Sequence, residues 1–478
     1  MTNQPSSRTS SAPGAAAFHP ELPDARRWCV LICFVLGAAM CIMSQTTMTA
    51  SLPSIIAEFG VSSEQGQWLT TSYMLATAVM IPCTGFLMTR FQSRHLFLVG
   101  TLGFLAGILG WVAPSFWALV AVRAVQGLAG GMLIPLMQVV TFRLFPPQRR
   151  GFAMGVSSVA LTAGPALGPT IAGLITDAWG WRAIFLVVAL ATLAILATYP
   201  VVRILTDETQ HSAFDLPSVP LVGVGLAGVI AGMANLGSGG IAGCAAPLAV
   251  GACALVLFVR RQGRLESPLL NLRAFATPSF TLGALATLVV FGVLINVETF
   301  TCLYVQDDQG FSPTQAGLVL LPGTILSALI SPFTGRVLDR RGPLPLAVAG
   351  YAILVASGIM HALVGPDSSL AYSIAAFALR NVGNACILQH LQTWAVNSLP
   401  PALMTHGTAA VNTLRQVGGA LMNSVFFGLM GAVQATGAGE LAGIKLSFGV
   451  STALVGIVGA VVIGFLVRQR GAVSSVAR

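Results

Sequence analysis

The chain has 478 residues, of which 55% are hydrophobic and only 8% are charged, and its formal net charge is +9. A water-soluble protein of this size carries roughly 25% charged residues, so the composition excludes a soluble fold and predicts an all-α polytopic membrane protein. The positive charge does not point to nucleic acid, because it sits in short segments between apolar runs, where basic residues set orientation.

Residues 1–25 are rich in Ser, Pro and Ala. They lack the basic start and short apolar core of a signal peptide and read as a disordered cytoplasmic tail. Apolar runs follow at about 28–51, 66–88, 96–113, 115–141, 152–176, 182–202, 217–237, 245–260, 277–304, 313–335, 344–364, 368–399, 407–431 and 445–467. Each is long enough to be a transmembrane helix, which predicts fourteen spans with both termini on one side. With the N-terminus placed in the cytoplasm, nineteen Arg fall on the cytoplasmic side, and only Arg182 and Lys445 on the outer side. That bias predicts both termini in the cytoplasm, and the use of Arg at all basic positions but Lys445 suggests a GC-rich bacterial genome, hence a multi-pass protein of the bacterial cytoplasmic (inner) membrane.

GFLMTRFQSRH at 85–95 and GRVLDRRGP at 335–343 resemble each other, and each follows an apolar run. Internal repetition of this kind marks secondary transporters. The predicted organisation is a tail (1–25), a six-helix bundle (26–203), a linker with two inserted helices (204–265), a second six-helix bundle (266–470) and a cytoplasmic tail (471–478). No Walker-type phosphate loop is present, so the energy is expected to come from a gradient, with no cofactor. The eight cysteines form no CxxC pair, the six histidines show no metal-ligand spacing, and no nucleophile–base constellation appears. The chain is therefore not read as an enzyme or a metalloprotein.

Polar residues inside apolar runs are costly, and they are the functional candidates. Arg123 lies deep in the fourth run; it reads either as the hub of a network that links protonation to a gate or as a static pin on helix carbonyls. In the fifth run, Ala160, Gly164, Gly168 and Ala172 form a small-residue stripe, with Pro165 and Pro169 between them. Such a stripe lets helix backbones approach closely, and the prolines bend the helix. Glu298 is the one acid clearly inside a span. A carboxyl there is suited to binding and releasing protons, unless it lies in a wet outer vestibule. Asp339, among Arg336, Arg340 and Arg341 at a helix end, reads as a latch on the inward gate or as a surface ion pair. Arg380 and Arg415 sit among small and polar residues, suited to an anionic group on a substrate or to helix packing. Trp68, Tyr73, Met74, Gln45, Gln138, Asn296, Phe300 and Gln389 are candidates for the wall of a mostly apolar cavity. His390 is a candidate proton relay. Trp111, Trp117, Trp179 and Trp181 read as interfacial anchors.

Several of these stretches resemble one family. Gly335, Leu338, Asp339, Arg340 and Gly342 match a G-x-L-x-D-R-x-G loop. Arg123 and Gly127 match R-x-x-x-G, and Gly164, Pro165 and Gly168 match G-P-x-x-G. Trp181, Arg182 and Phe185 match WRxxF, while Tyr304 to Gly317 and Arg415 to Gly419 resemble second-half signatures. In this order, from Arg26 to Arg468, the chain resembles the major facilitator superfamily, in the fourteen-span drug:proton antiporter branch of the EmrB/QacA type. The resemblance implies the MFS fold of two six-helix bundles plus an inserted pair. It also implies proton-coupled export of hydrophobic drug-like compounds by alternating access, with Gly335, Gly342, Gly164, Pro165 and Gly168 in gating roles. It further suggests a periplasmic adaptor and outer-membrane channel as partners if the cell has two membranes. Two departures stand out. Ser44 occupies the position where many members carry a first-span acid, and Thr89 and Gln92 replace residues of the first-half loop. The first departure moves the expected proton site to Glu298, leaves Ser44 as a cavity candidate, and favours neutral or anionic substrates. A dedicated carrier of one organic-acid or lipid-like metabolite, and a non-transporting sensor, are the competing readings.

Overall fold

The computed structural model describes residues 23–145, 153, 164, 167–205, 215, 217–234, 240–265, 268–437 and 439–476. Its long helices are α1 (Asp24–Phe59), α2 (Trp68–Arg90), α3 (Ser93–Leu105) and α4 (Phe116–Leu144). Then come α5 (residues 167–179), α6 (Ala183–Leu196), α7 (Ser218–Ala234) and α8 (Gly240–Gln262). The rest are α9 (Pro278–Leu303), α10 (Pro313–Arg341), α11 (Pro343–Ala362), α12 (Leu370–Asn397), α13 (Pro401–Ala435) and α14 (Glu440–Val476). No strand occurs among the described residues. Within them, nine helices are long and apolar enough to cross a membrane, and two shorter apolar helices accompany them. The long helices α2 and α12 fall outside the nine. Both carry polar residues into the interior, Thr70, Thr71, Ser72, Thr77 and Thr84 on α2 and Arg380, Asn381, Asn384 and His390 on α12, as α1 does with Ser44 to Thr47.

Helix ends follow the local sequence. Ser62 and Ser312 each form a reciprocal capping box, with Gln65 and Gln315 respectively. Each box is preceded by a glycine at positive φ, Gly60 at 62° and Gly310 at 70°, a conformation that costs glycine little. One spacing separates Gly60 from Gly310, Ser62 from Ser312 and Gln65 from Gln315, and it is also the spacing of the two loops that begin at Gly85 and Gly335. The internal repeat therefore extends through the turns on the other face.

Helices α1–α6 pack mainly on one another, and so do α9–α14; within these sets α2 against α4, α9 against α13, and α12 against both α10 and α11 make the most extensive contacts. Gln306 Nε2, just past α9, donates to Ala50 O near the end of α1 at 2.9 Å, so α1 and α9 run in the same direction. Gln469 Nε2 on α14 donates to Ser279 Oγ at the start of α9 at 2.9 Å, which puts the last helix's end on the face where α1 begins. That face is termed the termini face below, and the opposite one the far face.

The seam between the two sets of helices is closed toward the far face. One apolar cluster joins Met48, Leu52 and Ile55 of α1 to Val297, Phe300 and Leu303 of α9. Polar stitches flank it. Thr170 Oγ1 donates to Gly317 O at 3.0 Å, Thr314 N–H to Asp177 Oδ2 at 2.9 Å, and Asn423 Nδ2 to Thr71 Oγ1 at 3.2 Å. The small-residue stripe has the predicted effect of close approach. A Cβ on Gly164 would lie 2.9 Å from Ile42 Cγ2, and one on Gly168 would strike Thr46 Oγ1 and lie 2.5 Å from Met43 O, all on α1.

The inserted pair is closely packed. Gly228 and Gly251 abut, such that a Cβ on the former would lie 2.7 Å from the latter's Cα. Helix α7 covers the line where α2 meets α13, with Val222 and Leu226 clustered with Ala78 of α2 and packed against Val417 of α13. At the termini face Asp215 accepts from Arg261 Nε at 2.8 Å and from Ser218 Oγ, while Gln262 Nε2 donates to Ser218 Oγ at 2.8 Å. Burial works against the charge on Asp215, but the hydrogen bonds from Arg261 and Ser218 outweigh it and hold the carboxyl below its ordinary pKa.

Candidate functional site

Arg123 projects from α4 and is fully buried. Its Nε donates to Leu69 O at 3.3 Å, Nη1 to Ser44 Oγ at 3.1 Å and Gln126 Oε1 at 3.0 Å, and Nη2 to Ser44 O at 2.9 Å. The guanidinium lies 4.5 Å from the centroid of the Tyr73 ring, and the Tyr73 hydroxyl donates to Cys41 O at 2.7 Å. One side chain thus ties α1, α2 and α4 together, without a carboxylate, through bonds that a planar five-donor group can make and an ammonium cannot. The geometry is that of a pin. Ser44, at the position of the family's first-span acid, is part of it, and Tyr73 is its floor. Neither faces the cavity described next.

That cavity, of about 100 Å³, lies between the two sets of helices. Gln45 and Thr46 of α1, Gln138 of α4, and Asn412, Arg415 and Gln416 of α13 supply its polar wall. Phe291, Leu294 and Ile295 of α9, and Ile42, Ile81, Ile134 and Pro135 of the first set, supply its apolar lining. The residues come from the later part of α4 and the earlier part of α13, which places the cavity toward the termini face, below the sealed far end. Arg415 stacks 4.6 Å from the centroid of Phe291. Gln392 on α12 accepts from Arg415 Nη1 at 3.5 Å and donates to Asn412 Oδ1 at 3.3 Å, so it orients both. Gln416 Nε2 reaches Gln45 Oε1 at 3.5 Å across the seam.

Of the residues named from sequence as cavity candidates, Gln45, Gln138 and Arg415 are brought together here. Asn296 is fully buried on α9, with both amide atoms unpartnered among the described residues, and Phe300 packs edge-on to Phe427 and Phe448. Met74 is buried against Phe291, Ile295 and Ala420 just behind the wall. Arg380 is buried within the second set of helices and does not line the cavity, and its Nε is unpartnered among the described residues. The side chain of Gln389 lies outside the described residues. Sequence reasoning missed Phe291 and Thr46 as wall residues. It noted Asn412 and Gln416 only as neighbours of Arg415, although their spacing from Arg415 placed them on adjoining parts of one helix face.

Glu298 is 5% exposed and makes no hydrogen bond or ion pair with any described residue. It lies one helical turn beyond Leu294, on the same face of α9, so it sits above the apolar cavity wall toward the far face. The position is buried, as a proton-binding carboxyl inside a span would be. His390 bonds Thr334 Oγ1 at 2.7 Å, which anchors α12 to α10.

The candidate gate is only partly described. The side chain of Asp339 and all of Pro165 lie outside the described residues. Arg340 is exposed, Gly342 ends α10 with φ of 76°, and a Cβ on Gly335 would meet nothing within 4 Å. The WRxxF residues form a second clamp, at the far face. Trp181 Nε1 donates to Glu58 Oε2 at 2.5 Å, Arg182 pairs with Glu58, and Arg182 lies 4.4 Å from the Trp181 ring. Trp181 is therefore buried and not an interfacial anchor, because its indole N–H is taken by the carboxylate that closes α1 onto α6. Trp111, Trp117 and Trp179 are exposed, as that role requires.

Comparison with known proteins is consistent with this geometry. Residues 34–423 match the family model described as Major Facilitator Superfamily. The chain is 35% identical over 397 residues to the uncharacterized MFS-type transporter YcnB of Bacillus subtilis (strain 168), spanning 82% of this chain and 84% of that one. It is 32% identical over 450 residues to the lincomycin resistance protein LmrB of Listeria monocytogenes, spanning 93% and 95%. Among solved structures, a bacterial homolog of the human lysosomal transporter Spinster superposes with a TM-score of 0.68 at 16% identity, covering 93% of this chain and 97% of that one. At that identity the likeness concerns the fold alone.

Proposed function

We propose that this chain, which belongs to the Major Facilitator Superfamily and is a membrane transporter and not an enzyme, exports hydrophobic drug-like compounds in exchange for protons. The fourteen-span, two-bundle organisation and the cytoplasmic placement of the termini belong to the same proposal. The observation that carries it is Glu298, a buried acid, unpartnered among the described residues, on a helix that supplies apolar lining to the central cavity. The resistance protein among its relatives supports the substrate class.

In this reading the far face is the outside, and the cavity takes substrate from the cytoplasm or the inner leaflet. At about 100 Å³ it is smaller than the roughly 300–1,000 Å³ of pockets that hold drug-sized ligands, so loading requires the helices around it to part. Opening the far end breaks the Thr71–Asn423 and Ala50–Gln306 bonds and exchanges them for water. It also wets the Met48–Phe300 cluster and lets water reach Glu298. A carboxyl whose surroundings change from dry to wet changes its proton affinity, and this couples the proton to the conformation. Arg123 holds α1, α2 and α4 as one body during the movement.

The test is accumulation of fluorescent substrates in inside-out vesicles, with and without a protonophore, for the wild type and Glu298→Gln. Uptake that the protonophore abolishes, and that loses its dependence on the pH gradient in the variant, is expected. Gradient-driven uptake that is unchanged in Glu298→Gln removes the proton role from this residue.

A further inference from the structure

The intramembrane charges are unequal in sign. Among the described residues, Arg123, Arg380 and Arg415 stand against the single buried span acid Glu298. Only Arg415 meets the cavity, and no described residue lining the cavity is acidic. Every other polar group of the wall is an amide or a hydroxyl: Gln45, Thr46, Gln138, Asn412 and Gln416. Arg415 is also under-bonded. Among the described residues its one hydrogen bond is the 3.5 Å contact to Gln392, and its other support is the face of Phe291. Arg123, with the same five donors, makes four bonds. A guanidinium held by an aromatic face and a single amide is fixed in place, yet keeps donors for something that enters the cavity.

The geometry points to an anion-recognition site: the transported compounds are amphiphiles that carry one carboxylate, sulfonate or phosphate, which pairs with Arg415 while the apolar body lies on Phe291, Leu294 and Ile295. This rests on the export reading above and names its substrate class. The site has the two parts such a ligand needs. An Arg edge can take two acceptor oxygens in one plane, and the neighbouring Asn412, held through its Oδ1 by Gln392, keeps its amide N–H groups to add donors. A cation in the same cavity meets an uncompensated positive charge in a low-dielectric wall, so monovalent and divalent cationic dyes are disfavoured.

Inside-out vesicles energised by a pH gradient test this with a matched pair of hydrophobic probes, the anion 1-anilinonaphthalene-8-sulfonate and the uncharged N-phenyl-1-naphthylamine, plus the cation ethidium. The expected order in the wild type is anion above neutral above cation. Arg415→Gln is expected to reduce uptake of the sulfonate at least tenfold while leaving the neutral probe within about twofold, with Arg415→Lys recovering part of the loss. Equal loss of both probes in Arg415→Gln assigns the residue to helix packing and overturns the proposal. So does sulfonate uptake that is insensitive to the change, or wild-type preference for ethidium. If wild-type vesicles move none of the three, the export reading itself has failed; if they move the neutral probe and ethidium but not the sulfonate, export stands and only the anion site is lost.

Discussion

Arg123 and Arg415 are the same residue in the same kind of helix, each beside an aromatic ring, and the structure uses them in opposite ways. Arg123 is enclosed by α1, α2 and α4 and bonded to Ser44, Leu69 and Gln126. Arg415 faces a cavity and, among the described residues, has one long hydrogen bond. The difference teaches that the cost of an intramembrane arginine can be met in two ways. Bonds made within the fold turn the charge into a rivet. Bonds left open turn it into a binding group whose partner arrives from outside the fold.

Removal of each charge gives the largest expected contrast. Arg123→Gln strands the Ser44 side chain and leaves Gln126 without its partner in a dry site. With charge-assisted bonds worth about 1.5–3 kcal/mol each, the variant should lose at least ~3 kcal/mol and fold poorly. Arg415→Gln should stay within ~1 kcal/mol of wild type in the same detergent melting experiment. Equal melting of the two variants would dissolve the comparison.

Gly168→Val sharpens it from the other side of α1. The added atoms meet Thr46 Oγ1 and Met43 O, where backbone cannot yield easily, so a loss of about 1–3 kcal/mol is expected. Because Thr46 lines the cavity, transport should fall further than stability. A variant that folds and transports normally would show that α5 is free to move off α1.

Gln392→Leu is a smaller change. It removes the one acceptor that orients Arg415 and should cost about 0.5–1.5 kcal/mol in stability. The half-saturating concentration of the sulfonate probe should shift several-fold, with the neutral probe unaffected.

The smallest effect is expected at the inserted pair. Asp215 is held below its ordinary pKa, so its ionised form favours the folded state at neutral pH. That contribution is lost only as the pH falls through the depressed folded value, below the usual carboxylate range near 3.9. Since Arg261 is partly exposed, Asp215→Asn should cost about 1 kcal/mol or less at pH 7. Melting curves at neutral and acid pH check this: the gap between variant and wild type should close in acid and not widen.

Much of this was legible in the sequence. Most described helices begin and end near the apolar runs, because a span must satisfy its backbone internally and the bilayer sets its length; α1 and α14 continue past theirs to Phe59 and Val476, and the run at 152–176 lies largely outside the described residues. The stripe at Gly164 and Gly168 announced close packing, since nothing larger fits where backbone meets backbone. The candidate site was legible only in part. Gln45, Gln138 and Arg415 were named from their polarity in apolar surroundings. The same argument also named Ser44, Tyr73, Asn296 and Arg380, which lie elsewhere. Polarity inside a span marks a residue as costly, and it does not say whether the partner that meets the cost is another helix, water or a ligand.

The sequence by itself determined that the chain crosses a membrane as helices, that its halves echo each other, and that three arginines and one acid lie inside. These follow from hydrophobic length, turn chemistry and the expense of charge in hydrocarbon, all of which are local. Only the tertiary structure decided which arginine is saturated and which is open, that Trp181 is locked to Glu58, and that the seam is shut at the far face above a small cavity. Those outcomes depend on which side chains from distant helices arrive within three or four ångströms of one another, and no window of sequence contains both partners.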